Sequence, residues 1–165
     1  MSNLRRYYSS GNMYFITVVT FKRRPILRWN IDLFWLSINK MKSIYEFELI
    51  AWVVLPDHFH AVINPFDNNL SELIKRFKLS YSMNFRKRNN LKSGRIWQFR
   101  FWDHVIRNQD DFNRHIDYVH YNPVKHGLVR SPFEYEYSSI DKYSEYYQKD
   151  WGVSEPIEFE GDFGE

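Results

Sequence analysis

The sequence predicts an α+β domain, a ferredoxin-like β-α-β-β-α-β antiparallel sheet with one further helix added at its C-terminal end. Three observations predict it. Strand-like and helix-like periodicities alternate along the chain in that order. Two strand-like runs are separated only by Pro56-Asp57, a spacing that suits a tight antiparallel hairpin. An amphipathic stretch then follows the fourth strand, beyond the six elements of the split arrangement.

Taken in order, residues 13–21 (MYFITVVTF) are β-branched and aromatic and read as a strand. From Asn30 to Glu46, Ile31, Phe34, Ile38, Met41 and Tyr45 recur at helical spacing. The hairpin is ELIAWVVL (48–55) with HFHAVIN (58–64). DNNLSELIKRFKLSYSMNFRKRN opens with capping residues and lines up Leu70, Leu73, Phe77, Tyr81 and Phe85 on one helical face. RIWQFRFWDHVI (95–106) alternates large aromatics with polar residues and reads as the fourth strand. Asn108 precedes Asp111 at capping-box spacing and opens the added helix. Asn122-Pro123 should end it, because a proline ring disfavours helical geometry at the preceding residue. No element is predicted beyond KHGLV, and the chain divides into a domain at 1–133 and an acidic tail at 134–165.

Composition narrows the function classes. There is no cysteine among the 165 residues, which excludes a disulfide framework, a thiol nucleophile and a thiolate metal centre. No apolar run reaches the length of a membrane span, and MSNLRRYYSSGN has no apolar signal core. A soluble, cytoplasmic protein without a membrane partner is expected. The net charge of +3 hides a segregation. Residues 134–165 hold ten acids against Lys142 and Lys149, which leaves 21 Lys and Arg against 10 Asp and Glu in residues 1–133. A body that basic suits a polyanion, while the tail by itself reads as a solvated, disordered end.

The chemistry-bearing residues are few. His58 and His60 stand at i and i+2 of a strand, so both imidazoles project to one face, with Phe59 on the other. Two such imidazoles can converge on a divalent cation, although a bare pair of this kind is more often simply hydrogen-bonded. Tyr118 and Asn122 share a helical face, so a phenol nucleophile and a carboxamide ligand could lie beside the histidines. Tyr118 alone, one of 12 tyrosines, reads more readily as a ring packed on the sheet, and Tyr121 competes as nucleophile.

The set WVVLPDHFHAVI, IWQFRFWDHVIRN and IDYVHYNPVKHGLV, with RRYY near the start, closely resembles the REP-associated tyrosine transposases. These are one-tyrosine nucleases with a histidine–hydrophobe–histidine pair, and the resemblance spans roughly residues 4–130. It implies that His58, His60 and Asn122 bind Mg²⁺ or Mn²⁺ and that Tyr118, on a catalytic helix, is the catalytic residue. It also implies single-strand DNA cleavage and rejoining at repetitive extragenic palindrome hairpins through a 5′-phosphotyrosine. A nucleoid-associated monomer or homodimer is expected. Arg5, Arg6, Lys75, Arg76, Arg86, Arg88 and Arg95 are the expected DNA contacts, each also an ordinary surface cation. Trp97, Phe99 and Phe101 could stack bases, and Asp57, Asp103, His104 and His115 could support the site. Two other readings stay open: a non-catalytic single-stranded nucleic-acid-binding module, and a metal-dependent phosphodiesterase that uses water.

Overall fold

The computed structural model describes residues 13–165; the expected contacts Arg5 and Arg6 lie outside the described residues. Strands β1 (Tyr14–Val19), β2 (Glu48–Val54), β3 (His58–Asn64) and β4 (Trp102–Val105) form one sheet in the order β2-β3-β1-β4, antiparallel at every pair. Helices α1 (Ile31–Lys42) and α2 (Leu70–Arg88) link them in the split order, and α3 (Gln109–Lys125) follows β4. This is the ferredoxin-like arrangement with its added helix.

Side-chain alternation assigns the two faces. Ile16, Val18, Phe59, Ala61 and Ile63 point to α1 and α2, where Phe34, Ile38, Ile74, Phe77 and Tyr81 meet them. Phe15, Ala51, Val53 and Val62 point the other way, to Phe112, Ile116 and Val119 of α3. Strand β3 is thus buried on both faces along almost its whole length. Both long-helix starts are capped as their sequences predict: Asn69 Oδ1 accepts from Glu72 N (3.0 Å) and Asn108 Oδ1 from Asp111 N (2.9 Å).

Four expectations need correction. Helix α1 stops at Lys42, and Tyr45 and Glu46 lie in the connection to β2. The fourth strand is only four residues long. Thr17 pairs with Trp102 but Thr20 with Trp97, so two residues of the first run face four of the other; Gln98 N still donates to Val19 O (2.9 Å), and residues 99–101 are squeezed out of the ladder. Pro123 does not end α3, which continues to Lys125. Asn122 and Pro123 are both buried, and packing overrides the local bias. The helix ends instead at His126 with Gly127 next, whose φ of +68° suits a residue without a Cβ.

The segment after residue 133 is not a disordered end. Val54 N donates to Tyr137 O (2.8 Å) and Ser139 N to Trp52 O (2.9 Å), so the segment covers the free edge of β2. Tyr135 donates its hydroxyl to Val54 O (2.8 Å) and Tyr143 to Ile50 O (2.7 Å). Tyr135, Ile140, Tyr143, Tyr147 and Phe163 belong to the core around α3. Packing runs across the 133/134 boundary because the acids alternate with aromatics, and a charge count sees only the acids. His120, fully buried, ties α3 to this segment through Tyr147 Oη and Ser139 Oγ, both at 2.8 Å.

Two outcomes follow from this packing. Ile140→Ala should lower the unfolding free energy by about 2–5 kcal/mol in urea titrations, and a change within about 0.5 kcal/mol would place the segment outside the core. Burial pushes the His120 imidazole down to about 3, so it stays neutral in the fold while the unfolded chain takes up a proton near pH 6.5. Stability should therefore fall as pH drops from 6.5 towards 3, and His120→Asn should flatten that slope by about 1.4 kcal/mol per pH unit. Urea unfolding at neutral and acid pH, wild type beside variant, measures it.

Candidate active site

Register places the site. His58 and His60 lie opposite Val19 and Thr17 on β1, and both imidazoles face α3. Tyr118, Asn122 and Lys125 follow one another at i, i+4 and i+7, so a single face of α3 carries all three towards the histidines. His60 and Tyr118 are in edge contact, with ring centroids 5.3 Å apart. One chain supplies every one of these groups. Tyr121 is elsewhere: its hydroxyl accepts from Ile157 N (3.1 Å), and its ring packs on Trp151 and Phe159.

A carboxylate that nothing in the sequence reading pointed to sits among them. Glu165 Oε1 is 2.8 Å from His60 Nε2, accepts from the Tyr118 hydroxyl (2.6 Å) and accepts from Asn122 Nδ2 (3.0 Å). Its Oε2 accepts from Lys125 Nζ (2.8 Å), and His126 Nε2 is 3.3 Å away. Lys125 Nζ also donates to Tyr118 Oη (2.8 Å). Phe163 delivers this segment, its ring stacked on Tyr118 with centroids 3.8 Å apart. Gly164 makes the close approach possible: at φ +75°, a Cβ there would lie 2.4 Å from Trp102. Burial works against the Glu165 charge, but its imidazole neighbours, His126 and then His58 foremost, outweigh it and hold the carboxyl well below its usual range. Burial and the same carboxylate push the Tyr118 phenol well above its ordinary value, so it is firmly protonated in this arrangement.

The imidazole hydrogen bonds assign the tautomers. Thr17 donates its hydroxyl to Phe163 O (2.5 Å), so its oxygen accepts the Nδ1–H of His60 (2.8 Å). That leaves a lone pair on His60 Nε2, and burial, pushing the imidazole down to about 3, keeps it there. His58 gives its Nδ1–H to Asp57 Oδ1 (2.6 Å), which turns its Nε2 inward as well. Burial opposes a charge on His58, while Asp57 and Glu165 outweigh burial and raise its pKa.

With His58 in its neutral form, three acceptors consequently lack a donor. Among the described residues, His58 Nε2 and Asn122 Oδ1 are buried with no hydrogen-bond partner, and the His60 Nε2 lone pair faces the Glu165 carboxylate. A divalent cation is what such a set fits. The ligand atoms of His58, His60 and Glu165 lie within 4.8 Å of one another, close to the separations of ligands around one ion at about 2.1 Å each.

The other expected residues fall elsewhere. Asp57 orients His58, but His104 and His115 gather around Asp111 at the start of α3. Asp111 is already engaged there by His104 Nε2 (2.8 Å), Arg107 N (3.0 Å) and Arg114 Nη2 (3.0 Å), a clamp on the helix start. Asp103 borders a groove beside α2. Lys75, Arg76, Arg86, Arg88 and Arg95 are on α2 or the loop after it, across the sheet from Tyr118. Lys75 and Arg76 pair with Glu72 (3.6 and 2.7 Å), and Arg88 pairs with Asp32 (2.9 Å). Arg86 donates to Gly94 O (3.1 Å), and Arg95 lies 5.0 Å over the Phe21 ring. Trp97 is buried under α2, whereas Phe99 is 85 % exposed.

Displacing Glu165 is the direct test of this geometry. Gly164→Ala, which has no room beside Trp102, should free His60 Nε2 and Tyr118 Oη together. Both changes should appear in imidazole ¹⁵N and tyrosine ring NMR signals, while unaltered spectra would contradict the packing of residues 163–165.

The chain is similar to known proteins. A family model for IS200-like transposases matches residues 8–122. A REP-associated tyrosine transposase of Escherichia coli K12 is 36 % identical over 145 residues, 86 % of this chain and 84 % of that one. A Haemophilus influenzae protein that carries the same name provisionally is 35 % identical over 98 % of this chain and 99 % of its own length. The solved structure of a REP-associated tyrosine transposase bound to a REP hairpin superposes with a TM-score of 0.72 at 34 % identity, covering 98 % of this chain and 92 % of that one. The chain belongs to the IS200-like transposase family, among its REP-associated tyrosine members.

Proposed function

We propose that this protein cleaves and rejoins single-stranded DNA at repetitive extragenic palindrome hairpins, with Tyr118 as nucleophile beside a divalent ion held by His58, His60 and Asn122. The observation that carries this reading is the Glu165 carboxylate. An anion already sits on the Tyr118 hydroxyl, Asn122 Nδ2 and Lys125 Nζ, against His60, and a phosphodiester oxygen would ask for the same partners. The DNA substrate is inferred from the relative solved with a REP hairpin.

The proposed ion is Mg²⁺ or Mn²⁺; when bound, it withdraws charge from a non-bridging phosphate oxygen. Tyr118 Oη attacks phosphorus; the O–P bond to tyrosine forms as the bond from phosphorus to the 3′ oxygen breaks. Overall, the phenol proton ends on the released 3′-hydroxyl. Lys125, with its ammonium 2.8 Å from Tyr118 Oη, stabilises the negative charge that oxygen carries during attack. Attack by a 3′-hydroxyl on the phosphotyrosine reverses the step and joins strands without an external energy source. A substrate phosphate must first displace Glu165, which fills its place.

A labelled palindromic hairpin incubated with Mn²⁺ should give a protein–DNA adduct that survives denaturing electrophoresis. Tyr118→Phe, His58→Ala and chelation should abolish it, and Tyr121→Phe should not. Cleavage without an adduct would point to water attack, and binding without cleavage to a non-catalytic module. Lys125→Met should slow adduct formation by about 100-fold, with partial recovery in Lys125→Arg, as measured under single-turnover conditions. Glu165→Ala should speed it.

A further inference from the structure

Across the sheet from Tyr118 lies a groove that the site described above does not use. It is bordered by Ser71, Ile74, Lys75 and Lys78 of α2 and by Phe99, Arg100, Phe101 and Asp103, with a volume of about 540 Å³. Its outer wall is the stretch squeezed out of the ladder between the Thr20–Trp97 and Thr17–Trp102 pairs. That distortion holds the Phe99 ring in solvent at 85 % exposure, although aromatic rings elsewhere in this segment are packed. An extra loop pair that exposes a large ring has a cost in stability and none of the benefit of burial.

The charges around the ring are unbalanced. Lys78 is half-buried, and that burial pushes its ammonium down to about 8. Its Nζ donates to the Gln98 carbonyl (3.0 Å) and lies 5.9 Å from the Phe101 ring centre. Among the described residues, neither Lys78 nor Arg100 has a carboxylate within ion-pair distance, whereas Lys75 shares Glu72 with Arg76. Asp103, on the rim, is the one acid that borders the groove. An exposed ring in a groove with two cations that have no carboxylate partner among the described residues matches an unpaired nucleotide: a base has a face to stack, and its phosphate carries the opposite charge.

Position agrees with that occupant. The groove opens at β4, the last strand of the sheet among the described residues, and the histidines of β3 are two strands further in, about 10 Å across the ladder. Trp102, next in the chain after the groove residue Phe101, turns to the other face and packs on Phe15 beside the site. A single strand passing over the β4 edge would therefore run from one to the other.

We propose that this groove is a subsite for an unpaired nucleotide of the DNA strand that leads to the active site. The base stacks on Phe99, and its phosphate lies against Lys78 and Arg100. The inference rests on the DNA reading above and adds which part of the substrate is held and where.

The test compares affinities of the full chain for one palindromic hairpin made blunt, with short unpaired extensions, and with abasic extensions. Phe99→Ala, at an exposed position, should weaken binding of the extended hairpin by about 5-fold or more and leave the blunt and abasic forms unchanged. Lys78→Gln should weaken both extended forms and lower the slope of log affinity against log salt by about 0.7. Equal affinities of wild type and both variants for the extended hairpin would overturn the subsite while leaving the nuclease reading intact, provided the adduct still forms on Tyr118. Absence of hairpin binding by the wild type would overturn both. Concentration-dependent dimers lost in Phe99→Ala, with DNA affinity unchanged, would instead assign the groove to a second copy of this chain.

Discussion

Strand β3 has to satisfy two demands at once, and the rest of the molecule is arranged around them. It is buried on both faces, so every side chain it carries must find packing or a polar partner. One face resolves this with Phe59, Ala61 and Ile63 under α1 and α2. The other carries two imidazoles into the interior, which is tolerable only because Asp57 and Thr17 take their Nδ1–H groups. Those two hydrogen bonds leave both Nε2 lone pairs directed at one point, where α3 supplies Tyr118, Asn122 and Lys125. Burial thereby becomes the source of ligand basicity and of orientation.

The same burial explains the electrostatics. A buried phenol and two inward lone pairs are costly to leave without a counter-charge or a proton. In this arrangement the Glu165 carboxylate bridges Tyr118, Asn122 and Lys125, while Asn122 Oδ1 and His58 Nε2 have no partner among the described residues. The site is therefore half-satisfied by protein alone. The unsatisfied half consists of acceptors, which call for a cation, and the satisfied half consists of donors, which call for an anion. A metal ion with a phosphodiester supplies both.

The C-terminal segment is where charge counting misleads. Its acids alternate with tyrosines, tryptophan and phenylalanines, and these rings fill the second core while the acids remain at the surface. Glu165 is the exception, drawn inward by the lysine and imidazoles it meets. Lys125 and Glu165 were missed for different reasons. Lys125 could have been found, since it continues the Tyr118–Asn122 face by three residues once the helix is allowed to pass Pro123. Glu165 had no such signal: it is one acid among ten in its segment, and its contact with His60 spans 105 residues.

What the sequence by itself determined is local. Period-two alternation puts His58 and His60 on one face and Phe59 on the other; helical period aligns Tyr118 with Asn122; and Asn69 and Asn108 begin their helices by hydrogen bonds within three residues. These follow from backbone geometry, which needs no knowledge of the rest of the chain. Tertiary structure alone decided that α3 lies on the imidazole face, that α2 and its cations lie on the opposite one, and that the fourth run leaves the ladder at residues 99–101. It also decided that the helix outruns Pro123 and that Glu165 closes the site. Each of those depends on which surfaces exclude water together, a balance of packing against local preference that no single stretch of residues contains.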